Sequence, residues 1–307
     1  AASFQTYLRV ALIALALVGL VASLAAGRLL RPIRLLRDAA ASSSNAADLT
    51  ERIPVTGSDD VSALAAAINS MFDRLQDSAM SQRRLLTDVG HELKTPITII
   101  RGHLELLDAG NVSEVEATRT LAVDELDRMS RLVSDISLLA ASRAPHFVEL
   151  AEVDIETFTA AVGAKASALD PSRTWRVESA RGLALVDAHH ITQAWLQLAD
   201  NAVKHSTPGA PIAIVAEVTD IGTFPWLDLS VRDNGPGIPP DAKERIFERF
   251  SRLEFNRATE GSGLGLSIVS AIAEAHRGSV LLSGAPGEGS TFTIRIPLVA
   301  EPLVAAG

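Results

Sequence analysis

The chain has 307 residues, more than a typical single domain, so more than one folding unit is expected. A hydrophobic content of 47% supplies ample core, and a charged fraction of 21% sets the chain apart from disordered proteins. A net charge of −9 argues against a nucleic-acid binder, and the absence of cysteine excludes a disulfide framework and any thiolate metal site.

Val10 to Gly27 is an uncharged run whose one polar residue is Ser23. It is close to the roughly 20 residues that span a bilayer. Arg28, Arg31, Arg34 and Arg37 follow directly, and the positive-inside rule then places everything after the run in the cytoplasm. A signal peptide is the competing reading, but a basic helix follows the run, not a small-residue cleavage site. A transmembrane helix is therefore expected over 10–30, with 1–9 as a residual extracytoplasmic segment and a sensor segment upstream of it.

Residues 28–47 read as a basic, then small-residue helix with Pro32 near its start, where proline is tolerated. A polar connector from Ser42 to Asp59 carries Pro54 and Gly57. The next helix has Val61, Leu64, Ile68, Met71 and Leu75 at alternating steps of three and four, a coiled-coil seam. The seam runs on into a helix with Leu86, Val89, Leu93, Ile97, Ile100, Leu104 and Leu107 on one face. His91 lies about 200° round that helix from Val89 and so points into solvent. Beside it, Glu92 can hold one ring nitrogen protonated while the other attacks, which suits a nucleophile. Pro96 removes a helical hydrogen bond and crowds the carbonyl of Glu92, so a bend is expected just past the histidine.

Asp108-Ala109-Gly110-Asn111 breaks the helix. A second one carries Ala122, Leu126, Met129, Val133, Ile136 and Ala140, with Leu132 and Leu139 widening the stripe. Two such helices joined by a short loop form a hairpin. One hairpin cannot cover both its stripes, so two are expected to pair as a four-helix bundle. Pro145 ends the second helix. From about 148 the pattern changes to a helix near 154–169, a hairpin of Thr174–Ala180 and Leu183–Ala188 turned at Arg181-Gly182, and a helix over 189–205. Paired strands Ile212–Val218 and Trp226–Arg232 follow, and Ser279–Ser283 and Ser290–Pro297 close the chain. This is an α+β two-layer sandwich.

Four constellations in this half carry chemistry. Asp200-Asn201-Ala202-Val203-Lys204 lies on the helix of 189–205; the Asn201 amide oxygen can ligate Mg²⁺, and Lys204 can meet phosphate. Asp233-Asn234-Gly235-Pro236-Gly237-Ile238 follows a strand; its glycines admit a flat ligand and Asp233 can accept a hydrogen bond from an adenine amino group. Phe247-Glu248-Arg249-Phe250 adds an aromatic pair. Gly261-Ser262-Gly263-Leu264-Gly265-Leu266 opens a helix whose bare amides suit a triphosphate. Taken singly, the second is a turn signal, the phenylalanines read as core and the glycine run is weak. Their order along the chain gives them weight.

The stretch Asp88-Val89-Gly90-His91-Glu92-Leu93-Lys94-Thr95-Pro96-Ile97 resembles the phosphoacceptor box of sensor histidine kinases. The four constellations resemble, in order, the N, G1, F and G2 boxes of the histidine-kinase ATP-binding domain in the GHKL ATPase superfamily. Helix, connector and helix after the apolar run, with Pro32 and Gly57-Ser58-Asp59-Asp60 as landmarks, resemble the HAMP signal-relay module. The resemblance covers roughly 28–300. It implies a membrane-bound, homodimeric sensor histidine kinase of the bacterial inner membrane with its catalytic part cytoplasmic. Its parts would be a HAMP linker over 31–80, a dimerisation and histidine phosphotransfer domain over 81–145, a catalytic ATP-binding domain over 146–300 and a tail over 301–307.

By the same resemblance, His91 is the phosphoacceptor, Glu92 its acid/base partner and Thr95 the residue that positions water for dephosphorylation. Asn201 and Gln197 would hold Mg²⁺, Lys204 phosphate and Asp233 adenine. Gly235, Gly237, Phe250, Gly261, Gly263, Leu264 and Gly265 would shape the ATP pocket and a lid between Pro239 and Gly261. The phosphoryl group would pass from Mg-ATP to His91 and on to an aspartate of a response regulator. Three positions depart from the pattern: Gln197 replaces an asparagine, with its amide oxygen one methylene further out; Gly90 replaces a serine; and His205 stands where tyrosine is common. A signalling scaffold without turnover and a phosphatase-dominant regulator are the competing functions.

Overall fold

The computed structural model describes residues 12–20, 23, 52, 60–142, 144, 146–222, 224–251 and 262–298. They fall into two compact units, Ala1–Gly90 and His91–Gly307. In the first, residues 12–20 are helical and exposed. Among the described residues no helix is long and apolar enough to cross a membrane. Of the expected span only 12–20 and 23 are described; the helix expected over 28–47 lies outside, as does its connector apart from Arg52.

Helix α1 runs from Asp60 to Leu106. In its part within the first unit Leu64, Met71 and Leu75 are exposed, while Ala65 and Phe72 are buried. A seam at steps of three and four is thus left open on this helix. Beyond His91 the helix continues unbroken through Pro96, which is buried.

The break comes where expected. Gly110 N–H donates to Asp108 Oδ1 at 2.9 Å, and Asn111 caps α2 (Val112–Ala141) by accepting from Glu114 N–H at 3.4 Å. The stripe on α2 is divided. Leu126 and Val133 are exposed, whereas Leu132 and Leu139, expected only to widen it, are the buried pair.

The sandwich follows from α3 (Ile155–Ser167), α4 (Ala188–His205) and α5 (Gly265–Ala275) lying on one face of a sheet. Its strands are β2 (Trp175–Ser179), β4 (Ile212–Ile221), β5 (Phe224–Asp233), β6 (Ser279–Ser283) and β7 (Ser290–Pro297), in the order β2-β4-β5-β7-β6. β2 and β4 are parallel and the other pairs antiparallel, so the sheet is mixed. Alternation sends Ile212, Ile214, Leu227, Leu229, Val231, Phe292, Ile294 and Ile296 into the core. The opposite face carries polar ladders: Arg295 is bidentate to Asp228 at 2.6 and 2.7 Å, and Ser230 meets Thr293 at 2.7 Å.

The hairpin expected around Arg181-Gly182 does not form. β3 (Leu183–Val186) pairs antiparallel with β1 (Ala151–Asp154), a strand the sequence did not suggest, and β2 pairs with β4 instead. Apolar alternation and a glycine turn specify strands and a reversal, but not which edge each strand joins. Here α3 decides. Its Gly163 is so close to β2 that a Cβ there would lie 2.6 Å from Val177 Cγ2, and Ile155 N–H at its start donates to Gly182 O at 3.0 Å.

His276, buried at the end of α5, ties that helix to α4. Its Nε2 accepts from Asp187 N–H at 3.1 Å, which leaves Nδ1 protonated and donating to Ile272 O at 2.8 Å. Burial lowers its pKa; the Asp187 carboxylate opposes this and His190 adds to it. A histidine whose folded pKa lies below the unfolded value contributes fully above that unfolded value, near 6.5, and its contribution falls as pH drops through 6.5 towards the folded pKa. Denaturant midpoints should therefore fall between about pH 8 and about pH 5. His276→Gln should flatten that slope; an unchanged slope would show that His276 is not its source.

Candidate nucleotide-binding and phosphoacceptor residues

α4 is amphipathic in a way that sets up a site. Ile191, Ala194, Trp195, Leu198, Ala199 and Ala202 are buried on the sheet side, and Trp195 Nε1–H is satisfied by Ser230 O at 3.2 Å. Gln197, Asn201 and Lys204, four and three residues apart, share another side. Among the described residues no side chain is hydrogen-bonded to the Asn201 amide, so its oxygen is open to a ligand. Lys204 pairs with Asp200 on its own helix.

Both ends of α4 are fixed. Asp187 caps its start by accepting from His189 and His190 N–H at 3.0 and 3.1 Å. Burial pushes the Asp187 carboxyl up, but bonds from Glu149 N–H and His190 outweigh it and hold the pKa down at about 2. At the other end the guanidinium of Arg173, 3% exposed, is held by Asp170 at 2.8 Å. It donates to Ser206 Oγ at 2.7 Å, Val203 O at 2.9 Å and Thr207 O at 3.0 Å. This cation closes the last carbonyls of the helix that carries Lys204.

β5 delivers Asp233 to its end, 5% exposed. Asp233 Oδ1 accepts from Gly235 N–H at 2.7 Å and Ser290 N–H at 3.3 Å, so both bonds fall on one oxygen. Burial raises its pKa against those bonds and the charge of His205. In the loop that follows, Gly237 has no room for a side chain: a Cβ there, where φ is +73°, would lie 2.1 Å from Ala285 O.

Phe250, within the expected lid, bonds to Gly263, just past its end. Phe250 N–H donates to Gly263 O at 3.0 Å, and both residues have positive φ, 58° and 70°. Gly261 lies outside the described residues. Leu264, fully buried, stands at the N-cap of α5, and no side chain caps that helix. Its first amides are therefore open to an anion. Gly265 begins α5 within reach of α4, since a Cβ there would be 3.0 Å from Gln197 Oε1. Gln197 and the start of α5 thus converge, Asn201 shares the Gln197 side of α4, and Asp233 ends the neighbouring central strand.

His91, Glu92 and Thr95 occupy one turn of α1. His91 is exposed, Glu92 half-buried, and the Thr95 hydroxyl donates to His91 O at 3.4 Å. No hydrogen bond or ion pair among the described residues joins His91 to 188–298. Sequence reasoning missed Arg173 and Asp187. Arg173 follows Asp170-Pro171-Ser172, a turn signal that does not reveal burial; Asp187 stands ahead of an apolar helix, an N-cap signal that was available.

Residues 24–77 match the HAMP domain, 81–145 the His Kinase A (phospho-acceptor) domain, and 186–300 the histidine kinase-, DNA gyrase B- and HSP90-like ATPase. The signal transduction histidine-protein kinase/phosphatase MprB of Mycolicibacterium smegmatis is 33% identical over 276 residues, covering 82% of this chain and 52% of that protein. Full-length ShkA solved with AMPPNP is 30% identical, with a TM-score of 0.52 over 73% of this chain and 48% of ShkA. The Acinetobacter baumannii histidine kinase AdeS is 25% identical, with a TM-score of 0.51 over 68% of this chain and 98% of AdeS. The chain spans about half the length of the curated relatives it matches. These three domains in this order place it in the family of HAMP-containing sensor histidine kinases of two-component systems.

Arg173→Ala would remove the cation that closes α4 and leave several buried acceptors unpaired, at a cost of about 3 kcal/mol or more. Arg173→Lys should recover only part, because an ammonium cannot fork between Asp170 and the carbonyls. Chemical denaturation of the two variants checks this; an Arg173→Ala protein as stable as the parent would contradict it.

Proposed function

We propose that the chain is an ATP-dependent protein-histidine kinase that phosphorylates its own His91 and then transfers the phosphoryl group to an aspartate of a response regulator. One observation carries this reading. Gln197, the open Asn201 amide, Lys204, the buried Asp233 and the uncapped start of α5 belong to one layer, in a chain that also presents an exposed histidine beside Glu92. Asp233 suits the adenine amino group through its second oxygen. Lys204 and the α5 amides suit the phosphates.

The donor set also fits Mg²⁺. A hard cation that keeps several waters needs only one or two protein oxygens plus phosphate. Asn201 offers one, and Gln197 a second at longer reach. Among the described residues no cluster of histidine and carboxylates could hold a metal without phosphate. When bound, the ion would neutralise charge on the phosphates. Glu92 would act as the acid/base partner of His91, one ring nitrogen of which would form the N–P bond as the bond to the β–γ bridging oxygen breaks.

Two further parts belong to the proposal. Residues 10–30 form a membrane span, supported by the uncharged run and the arginines after it, which leaves the catalytic part cytoplasmic in a bacterial cell. Two hairpins, 81–145 of each chain, pair as a homodimer, supported by the exposed Ile97, Leu104, Leu126 and Val133. A phosphatase activity through Thr95 is supported by the kinase/phosphatase description of its relatives.

With radiolabelled ATP and Mg²⁺ the protein should acquire an acid-labile, base-stable label. His91→Gln should abolish it and leave nucleotide binding intact. A label that persists in that variant would remove His91 as the acceptor.

A further inference from the structure

An open cleft of about 1080 Å³ lies near the loop of the hairpin, within the second unit. Among the described residues its walls carry Ile99 of α1 and Leu121 of α2, three carboxylates, Glu116, Asp124 and Glu125, and one guanidinium, Arg128. Two of the acids are accounted for. Glu116 pairs with Arg119, and Asp124 is exposed to water. Glu125 is neither. Its side chain is 15% exposed, and its Oε1 is shielded from water with no hydrogen-bond partner among the described residues. Arg128, one turn further along α2, brings Nη1 only to 3.7 Å, beyond hydrogen-bond distance. Its side chain is 40% exposed, and its guanidinium has donors to spare.

A shielded carboxylate oxygen without a donor is costly. The same face says what kind of molecule relieves that cost. Leu126, next to Glu125, is open to solvent, as is Val133 two turns on, so the surroundings are apolar. Within them stand one acid that lacks a donor and one cation that lacks an acceptor at bonding distance. An acidic partner would satisfy only the second, and a basic partner only the first. A copy of the same face turned by a two-fold satisfies both, because each group then meets the other's counterpart.

We propose that a second copy of this chain fills the cleft, and that each Glu125 pairs with the partner's Arg128 across the two-fold. The inference rests on the homodimer reading given above. It adds the residues that fix register and partner choice. Two opposite charges enclosed in an apolar bundle accept the alignment that brings them together and oppose those that separate them. A related hairpin lacking the pair would leave both charges unmatched, and the bundle rejects it on that ground.

Charge swaps in the full chain in detergent test it, with self-association read by light scattering over a dilution series. Glu125→Arg and Arg128→Glu should each weaken self-association by about tenfold or more, since each sets like charges opposite one another. Co-expressed with different tags, the two single variants should copurify as a mixed dimer, in which every carboxylate again faces a guanidinium across the two-fold. The doubly swapped chain, Glu125→Arg with Arg128→Glu, should dimerise like the parent. A dimeric parent whose single variants associate as it does overturns the proposal alone. So does a failure of the co-expressed single variants to copurify, which would confine the pair to its own chain, and so does a doubly swapped chain that stays monomeric. A parent that is itself monomeric overturns the homodimer reading and this proposal with it.

Discussion

The site depends on how α4 is held. Its sheet-facing side buries Ile191, Trp195 and Leu198 completely, and each such side chain contributes roughly 1.5–3 kcal/mol. That packing fixes the rotation of the helix about its axis. Rotation alone then decides where Gln197, Asn201 and Lys204 point, because the three share a side by their spacing. Asp187 and Arg173 fix the ends, so the helix can neither fray nor slide. A polar row that would be unremarkable on a loose helix is held in one orientation.

The other half of the site is built on close backbone approach. Gly237 and Gly289 both lie where a Cβ would come within 2.1 Å of a carbonyl oxygen, at Ala285 and Asp233 respectively. The two loops they belong to are thereby pressed together around Asp233. Phe250, with a positive φ, is likewise tied by its N–H to Gly263 O, ahead of α5. Backbone shape, more than side-chain chemistry, lets these segments approach one another.

Much of this was legible in the sequence. The strands 279–283 and 290–297, the helix of 188–205 and the break after α1 follow from periodicity, capping and turn residues, and each arises from short-range rules. The strand partners were not legible. β2 and β3 carry alternation and a turn between them, yet the β2 edge is set by contact with α3 through Gly163. Arg173 was not legible either, since its acceptors lie some 30 residues further along the chain. The α2 stripe shows the same limit. Its period identifies an apolar helix, but Leu132 and Leu139 face the ATP-binding layer while Leu126 and Val133 are left open. A period does not say how many partners a face has.

The central claim is that α4, the end of β5 and the start of α5 form one nucleotide site. Hydrogen exchange of the backbone amides, with and without AMPPNP and Mg²⁺, tests it most directly. Added nucleotide should slow exchange at 262–268 and at 233–237, and leave the polar face of β6 and β7 unaffected. Protection that appears elsewhere, with the α5 amides exchanging as before, would contradict the account.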